Sequence, residues 1–273
     1  MRTEEIRQAA IDSHDREAGK FVAWYDALNQ SRFSNAFAYG RSKIDALVSE
    51  LFGSLPKGGK VLDVGCGTGE HLHRALDAGL KAYGVEPAPA MLEVARRNVP
   101  GAEIKQGVAT SLPYGDGEFD MVMMVEVLRY LDRADTELAL REARRVLKPG
   151  GLIFVTLVNR WALDGFYVLQ RARALVKRRQ FDEVNPYCLF HTPASAKRDL
   201  AKAGFSDVRI EGRLLAPLRI AYKASERLGG WLASKIEKAD DRLHGAKWTQ
   251  PFAGHLIAIG RVPQSTKAPG RRA

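Results

Sequence analysis

Three glycines within five residues, Gly65-Cys-Gly-Thr-Gly69, follow the apolar run Val61–Val64 and precede a helical pattern that begins at Glu70. Glycine lets a chain turn sharply and approach a ligand with no Cβ in the way. The helix behind such a turn offers unpaired N–H groups and the positive end of its dipole. The chemistry this serves is the holding of a nucleotide-like ligand. Glu86 points the same way: it ends the run Tyr83-Gly-Val-Glu86 about twenty residues past the turn, where a carboxylate meets ribose hydroxyls in nucleotide-binding folds. One carboxylate can accept two hydroxyl hydrogen bonds. A dinucleotide site wants a further glycine where this chain has Glu70, so Glu70 argues against a nicotinamide.

Those residues work only if strands and helices hold them in place. Helical spacing with a closing Gly53 marks Ile44–Phe52. Strands and helices then alternate: Val61–Val64, helix Glu70–Ala78, Lys81–Val85, helix Ala90–Asn98, a weak strand Glu103–Gln106, Phe119–Val125, helix Ala134–Leu147, and Leu152–Val158, apolar at every position. That rhythm predicts repeated βαβ units and a parallel sheet. Beyond it lie a basic, aromatic helix within 159–184, a helix Thr192–Ala203, a strand Val208–Ile210, a basic amphipathic stretch Ile220–Ala239 and a final strand His255–Arg261. The expected organisation is an N-terminal helical cap (1–40), one α/β domain (41–262) with helical insertions at 160–190 and 217–248, and a disordered basic tail (263–273).

Asp63-Val-Gly-Cys-Gly-Thr-Gly69 resembles the first motif of the class I S-adenosylmethionine (SAM)-dependent methyltransferases. The resemblance spans roughly residues 40–262, with its specific motifs within 61–158. It implies a Rossmann-like, doubly wound, mostly parallel seven-stranded sheet with helices on both faces, and SAM as cofactor. It implies that Asp63 orients the loop or meets the methionine amino group, with Gly65, Cys66, Gly67 and Gly69 forming the turn around the methionine moiety. Glu86 would then hold the ribose, and Pro87 and Met91 would lie near the adenine. The family pattern Gly-Asp-Ala-x-x-Leu-Pro-Phe reads Gly107-Val-Ala-Thr-Ser-Leu-Pro-Tyr114 here. With Val108 in the aspartate's place, adenine contact falls to backbone around Ala109 and to apolar packing. The strand ending at Val125 and the following Glu126-Val-Leu-Arg-Tyr130 match the segment that borders the methyl group.

Methyl transfer is an in-line displacement whose main demand is alignment, and a base is needed only if the acceptor must lose a proton. His191 is the sequence's base candidate, because histidine titrates near neutrality and this one follows the variable insertion. Capping of the Thr192 helix, or a place on the surface, is its alternative. Tyr130 and Glu126 are the other acceptor-side candidates. Similarity to related enzymes puts Tyr25 and Tyr39 over SAM and Arg41 on its carboxylate, with core packing as the alternative for the aromatics. Asn185-Pro-Tyr187 lacks the second proline and the position of the DNA amino-methyltransferase loop.

The formal net charge is +10, concentrated in Arg171–Arg179, in 213–247 and in the tail. Basic helices that also carry Leu, Val, Trp231 and Ile236 suit an anionic membrane surface or a phosphate-bearing substrate, although a cap over the active site with a solvated basic face is the reading placed ahead of these. The expected acceptor is therefore an O or N nucleophile of a small-molecule or lipid- or glycan-linked compound. An RNA methyltransferase and a non-catalytic SAM-binding protein stand as alternatives. A charged N-terminus, no bilayer-length apolar run and only Cys66 and Cys188 lead us to expect a cytoplasmic protein, in contact with the membrane at most from its surface.

Overall fold

Five strands run parallel, with helices joining β1 to β2, β2 to β3 and β4 to β5: β1 (Lys60–Val64), β2 (Lys81–Glu86), β3 (Glu103–Gln106), β4 (Phe119–Met124) and β5 (Leu147–Asn159). The computed structural model describes residues 3–28, 31–163, 166–176 and 188–264, the side chains of 3, 6, 20–28, 166, 168–170 and 173 excepted. The sheet order is β3-β2-β1-β4-β5-β8-β7, and β8 (His255–Arg261) lies antiparallel between β5 and β7 (Ser206–Arg213). The seven expected strands are joined by a two-residue β6 (Phe190–His191), which pairs with Val158 and Asn159 where β5 outruns β4. From β1 the chain winds outward through β2 to β3, then crosses back to β4 on the other side of β1 and continues outward to β5. Ligands in open α/β sheets bind at such a switch point, outside the carboxyl ends of the strands.

Both faces of the sheet are covered, and β4 shows how. Phe119, Val122 and Met124 face the helices α5 (Arg133–Val146) and α7 (Pro193–Lys202), through Ala139, Leu140, Ala196 and Leu200. Met121 and Met123 face α2 (Ala36–Ser54), α3 (Glu70–Asp77) and α4 (Pro89–Asn98), through Ile44, Leu47, Leu72 and Leu92. Each fully buried Phe or Met contributes about 1.5–3 kcal/mol. Local signals set the helix ends. Asp132 accepts from the Asp135 amide to start α5, and Thr192 and Ser195 form a reciprocal capping box ahead of Pro193.

One region differs from the sequence expectation. The stretch 220–239 is two helices, α8 (Leu218–Ala224) and α9 (Glu226–Leu243), because extended Ser225 breaks the helix and caps the next one through Leu228 N–H. Gly229 lets α9 close on Tyr222, whose ring a Cβ there would meet at 2.3 Å. The insertion helix is described only as α6 (Phe166–Val176), and the rest of its basic run, 177–187, lies outside the described residues, as does the tail from 265. α1 (Thr3–Leu28) lies across the carboxyl end of the sheet. Arg7 pairs with Asp135 at 3.2 Å, and Asp15 accepts from Ala90 N–H at 2.7 Å, capping α4 from outside. No described helix is long and apolar enough to cross a membrane.

Candidate active site

The glycine turn sits at the switch point because β1 ends there. Gly65 and Cys66 N–H both donate to Val85 O, at 2.7 and 3.1 Å, which binds the turn to the end of β2. Gly65 has φ +73°, and a Cβ on it would stand 2.6 Å from Val127 Cγ2. Gly69, at φ +88°, starts α3, and a Cβ there would meet Val99 at 2.8 Å. Close helix packing, the task of the third glycine in a dinucleotide site, is thus done one residue ahead of Glu70. That glutamate pairs outward with Arg74 at 3.1 Å.

Glu86 is the charge at the centre of the site. It accepts from Gly67 N–H at 2.9 Å and Ala88 N–H at 3.0 Å. Burial pushes its carboxyl up to about 7, against the pull of those two amides, with a smaller upward push from Asp63. A raised folded-state pKa contributes stability that is fully present below about 4.5 and lost as pH rises through about 7. The unliganded protein should therefore lose more melting temperature between pH 5 and pH 8 than the Glu86→Gln variant does. Identical losses in thermal melts would contradict this.

The turn and Glu86 wall a cavity of about 280 Å³. Of the residues expected at the cofactor, Gly65, Gly67, Glu86, Pro87, Met91, Val108, Ala109 and Val125 line it, and so do Glu126 and Tyr130 from the acceptor set. Cys66 is buried beside the turn, its thiol pushed well up by burial, and does not line the cavity; nor does Gly69. Asp63 lies beneath, buried, with Oδ2 3.7 Å from His71 Nδ1. Arg41 faces the same buried group, pairing with Asp45 at 2.9 Å, and Asp45 meets His71 Nε2 at 3.0 Å. Tyr39 is fully buried against Leu214, Leu218 and Ala233 and takes no part in the cavity wall. The Tyr25 side chain lies outside the described residues. His191 is buried on β6, with neither ring nitrogen hydrogen-bonded among the described residues; burial lowers its pKa to about 4 despite Asp199. It does not line the cavity either.

Glu126 stands just past β4 in the left-handed region, at φ +61°. Its N–H donates to Thr156 Oγ1 at 2.7 Å, and that hydroxyl donates to Oε1 at 3.2 Å. Arg129 donates to Oε2 at 2.9 Å, and His255 Nδ1 lies 3.3 Å from Oε1. Burial opposes its charge, but His255 and Arg129 outweigh burial and hold the carboxyl far below the usual range. Arg219 lies 3.3 Å from His255 Nε2. A guanidinium only donates, so Nε2 accepts and the imidazole proton sits on Nδ1, toward Glu126.

The remaining wall was missed by the sequence reading. Arg7, Ala10, Ile11 and His14 of α1 all face the cavity, as do Phe37 and Arg129. The 7/10/11/14 spacing is one face of a helix, and that periodicity was available in the sequence. What it could not show is the surface this face covers. His255 belongs to β8, and no local pattern ties it to Glu126.

A carboxylate and a glycine turn meet at the switch point of a mostly parallel sheet, the place where open α/β proteins hold their ligands. Residues 62–155 match the methyltransferase domain family. Over 171 residues the chain is 30% identical to the ubiquinone biosynthesis O-methyltransferase of Azorhizobium caulinodans, covering 61% of this chain and 66% of that protein, just under two thirds. Over 192 residues it is 32% identical to the demethylmenaquinone methyltransferase of Renibacterium salmoninarum, covering 65% of this chain and 79% of that one. Its fold is similar to a crystal structure of a SAM-dependent methyltransferase from Thermotoga maritima, with TM-score 0.55 and 21% identity, covering 91% of this chain and 97% of the other. The chain belongs to the SAM-dependent methyltransferases.

Proposed function

We propose that this chain transfers the methyl group of SAM to an oxygen or nitrogen of a small, lipid-linked acceptor. The observation that carries the reading is that one cavity joins the Gly65 turn and Glu86 to Glu126 and Tyr130. The residues fit SAM: at Gly65 the wall leaves no room for a Cβ, and the Glu86 carboxylate is held by two amides at the cavity wall. Glu86 would take the ribose hydroxyls, Gly65 and Gly67 the methionine moiety, and Met91, Val108 and Ala109 the adenine. SAM supplies an electrophilic methyl group on a sulfonium. The protein aligns acceptor and methyl, and α1 walls one side of the cavity. Glu126, ionised and tied to Arg129, is a fixed negative charge and a poor proton acceptor.

The two relatives above are named for ubiquinone biosynthesis and for demethylmenaquinone, and we carry that quinone-type acceptor class to this chain. A lipid-linked acceptor is further supported by exposed apolar groups, some of them on a basic helix. Trp161, Leu163 and Phe252 are exposed, with Leu163 N–H bonded to Phe252 O at 3.0 Å, and α6 exposes Leu175 and Val176 one turn on from the exposed Arg171. Such a surface suits an anionic bilayer. Binding to phosphatidylglycerol vesicles that fades in salt and is absent for RNA supports it; the reverse supports an RNA acceptor.

The reading is tested by calorimetry with SAM and S-adenosylhomocysteine, followed by tritiated-methyl transfer into lipid, RNA and small-molecule fractions of a cell extract. Heat with both ligands and label in the lipid or small-molecule fraction are expected. Folded protein that gives no heat with either ligand is not a methyltransferase.

A further inference from the structure

The titratable side chains that line the cavity are Arg7, His14, Glu86, Glu126, Arg129 and Tyr130. The arginines only donate. Glu86 is engaged with Gly67 and Ala88 on the ribose side. Glu126 is locked as a carboxylate by Arg129, Thr156 and His255. His191, the sequence's base, is buried outside the cavity. Of the two that remain, the Tyr130 phenol carries an O–H, and His14 brings an imidazole nitrogen lone pair that can take a proton.

Its tautomer is fixed by its own helix. His14 Nδ1 lies 2.8 Å from Ala10 O, one turn back. A carbonyl only accepts, so the proton sits on Nδ1 and Nε2 is the basic nitrogen, on the side of the ring away from the helix backbone. The ring meets Tyr130 edge-on, with centroids 5.0 Å apart, at the end of the cavity that Glu126 and Arg129 close. Arg129 lies over the other partner of that contact, 5.5 Å from the Tyr130 centroid. The helix itself is anchored on both sides, by Arg7 to Asp135 and by Asp15 to the start of α4.

We propose that His14 is the general base of the reaction and that the acceptor is a hydroxyl group. The acceptor O–H proton passes to His14 Nε2 as the oxygen bonds the methyl carbon. The carbon–sulfur bond breaks, its electron pair stays on sulfur, and the sulfonium becomes a neutral thioether. The imidazolium then returns its proton to solvent. Arg129, beside the same end of the cavity, stabilises negative charge developing on the acceptor oxygen. Arg7, Glu86, Glu126 and Arg129 are the charged groups sharing the cavity with His14, and Asp15 is turned to the α4 amide.

This inference rests on the methyltransferase reading, and the experiment separates the two. SAM binding is measured by calorimetry for the wild type, His14→Gln and His14→Ala. Tritiated-methyl transfer into the lipid and small-molecule fractions is then compared. We expect SAM affinity unchanged and transfer lowered by about 10²–10⁴-fold in both variants. Added imidazole should restore part of the rate to His14→Ala, and the acidic limb of the pH–rate profile should vanish in His14→Gln. A wild type that does not bind SAM overturns the methyltransferase reading and this inference with it. Binding retained while His14→Gln transfers within about threefold of wild type overturns the general base alone. So does a loss that imidazole leaves untouched and that tracks weakened SAM binding, which marks His14 as part of the cover.

Discussion

Gly65→Ala lowers SAM affinity by at least about 100-fold and melting temperature by several degrees, whereas Gly79→Ala costs stability alone. The two glycines have nearly the same backbone, φ +73° and φ +74°. An L-residue in that region costs about 1–2 kcal/mol wherever it stands. Their surroundings differ. A Cβ at Gly79 has nothing within 4 Å, while one at Gly65 stands 2.6 Å from Val127 Cγ2. That distance forces either the turn or Val127 to move, and both belong to the cavity wall. Moving Val127 disturbs Glu126 next to it, and moving the turn breaks the paired bonds from Gly65 and Cys66 to Val85 O. Calorimetry and thermal melts of the two variants separate the backbone penalty from the clash. The pair Gly65→Ala with Val127→Ala should regain affinity, because the second change removes the methyl that the first one meets. Equal SAM affinity for both single variants would show that the turn does not touch the cofactor.

How much of this was legible depends on how far apart the partners lie in the chain. β1, the turn, α3 and β2 form one continuous segment, and apolar runs, glycines and Glu86 marked them almost to the residue. Strand β8 was read at its true limits because every position but the last is buried and its sequence is apolar throughout its middle. The α8–α9 break was hidden, since the apolar spacing continues through Ser225 and only the packing of Tyr222 against Gly229 explains the corner. Tyr39 and Arg41 lie within α2, whose helical pattern was visible, but the pattern does not say which neighbour each face meets. Tyr39 turned to α8 and α9, and Arg41 to Asp45. His191 was chosen for its chemistry and its place after an insertion. Strand β6 instead carries it into the interior, where desolvation disfavours its charged form. His14 was passed over because a lone histidine in a charged helix carries no signal until the helix is laid over the sheet.

Glu126→Gln should lower the unfolding free energy by about 2–4 kcal/mol at pH 7, somewhat less than for a fully buried ion pair. Glutamine keeps the shape but accepts through one oxygen only: with that oxygen toward Arg129, its NH2 faces Thr156 Oγ1 and His255 Nδ1, so the loss combines the charge with one acceptor. Removing the charge leaves the Arg129 guanidinium with no carboxylate opposite and His255 Nδ1 facing an amide where it faced a carboxylate. The pH dependence gives the sharper test. A carboxyl whose folded-state pKa is depressed contributes stability that is present above its unfolded value, about 4.5, and lost as pH falls through the folded value. The gap between wild type and Glu126→Gln in urea unfolding should therefore stay constant from pH 7 to about 4.5 and narrow below that. A gap that widens in acid, or none at pH 7, would mean that Arg129 and His255 do not hold this carboxylate. The backbone gives an independent reason to expect the gap. At φ +61° a glutamate costs about 1–2 kcal/mol that glycine would avoid. A strained residue with a buried charge persists in the cavity wall only where its partners return more than that, and those partners come from three places: the turn after β4, strand β5 through Thr156, and strand β8 through His255.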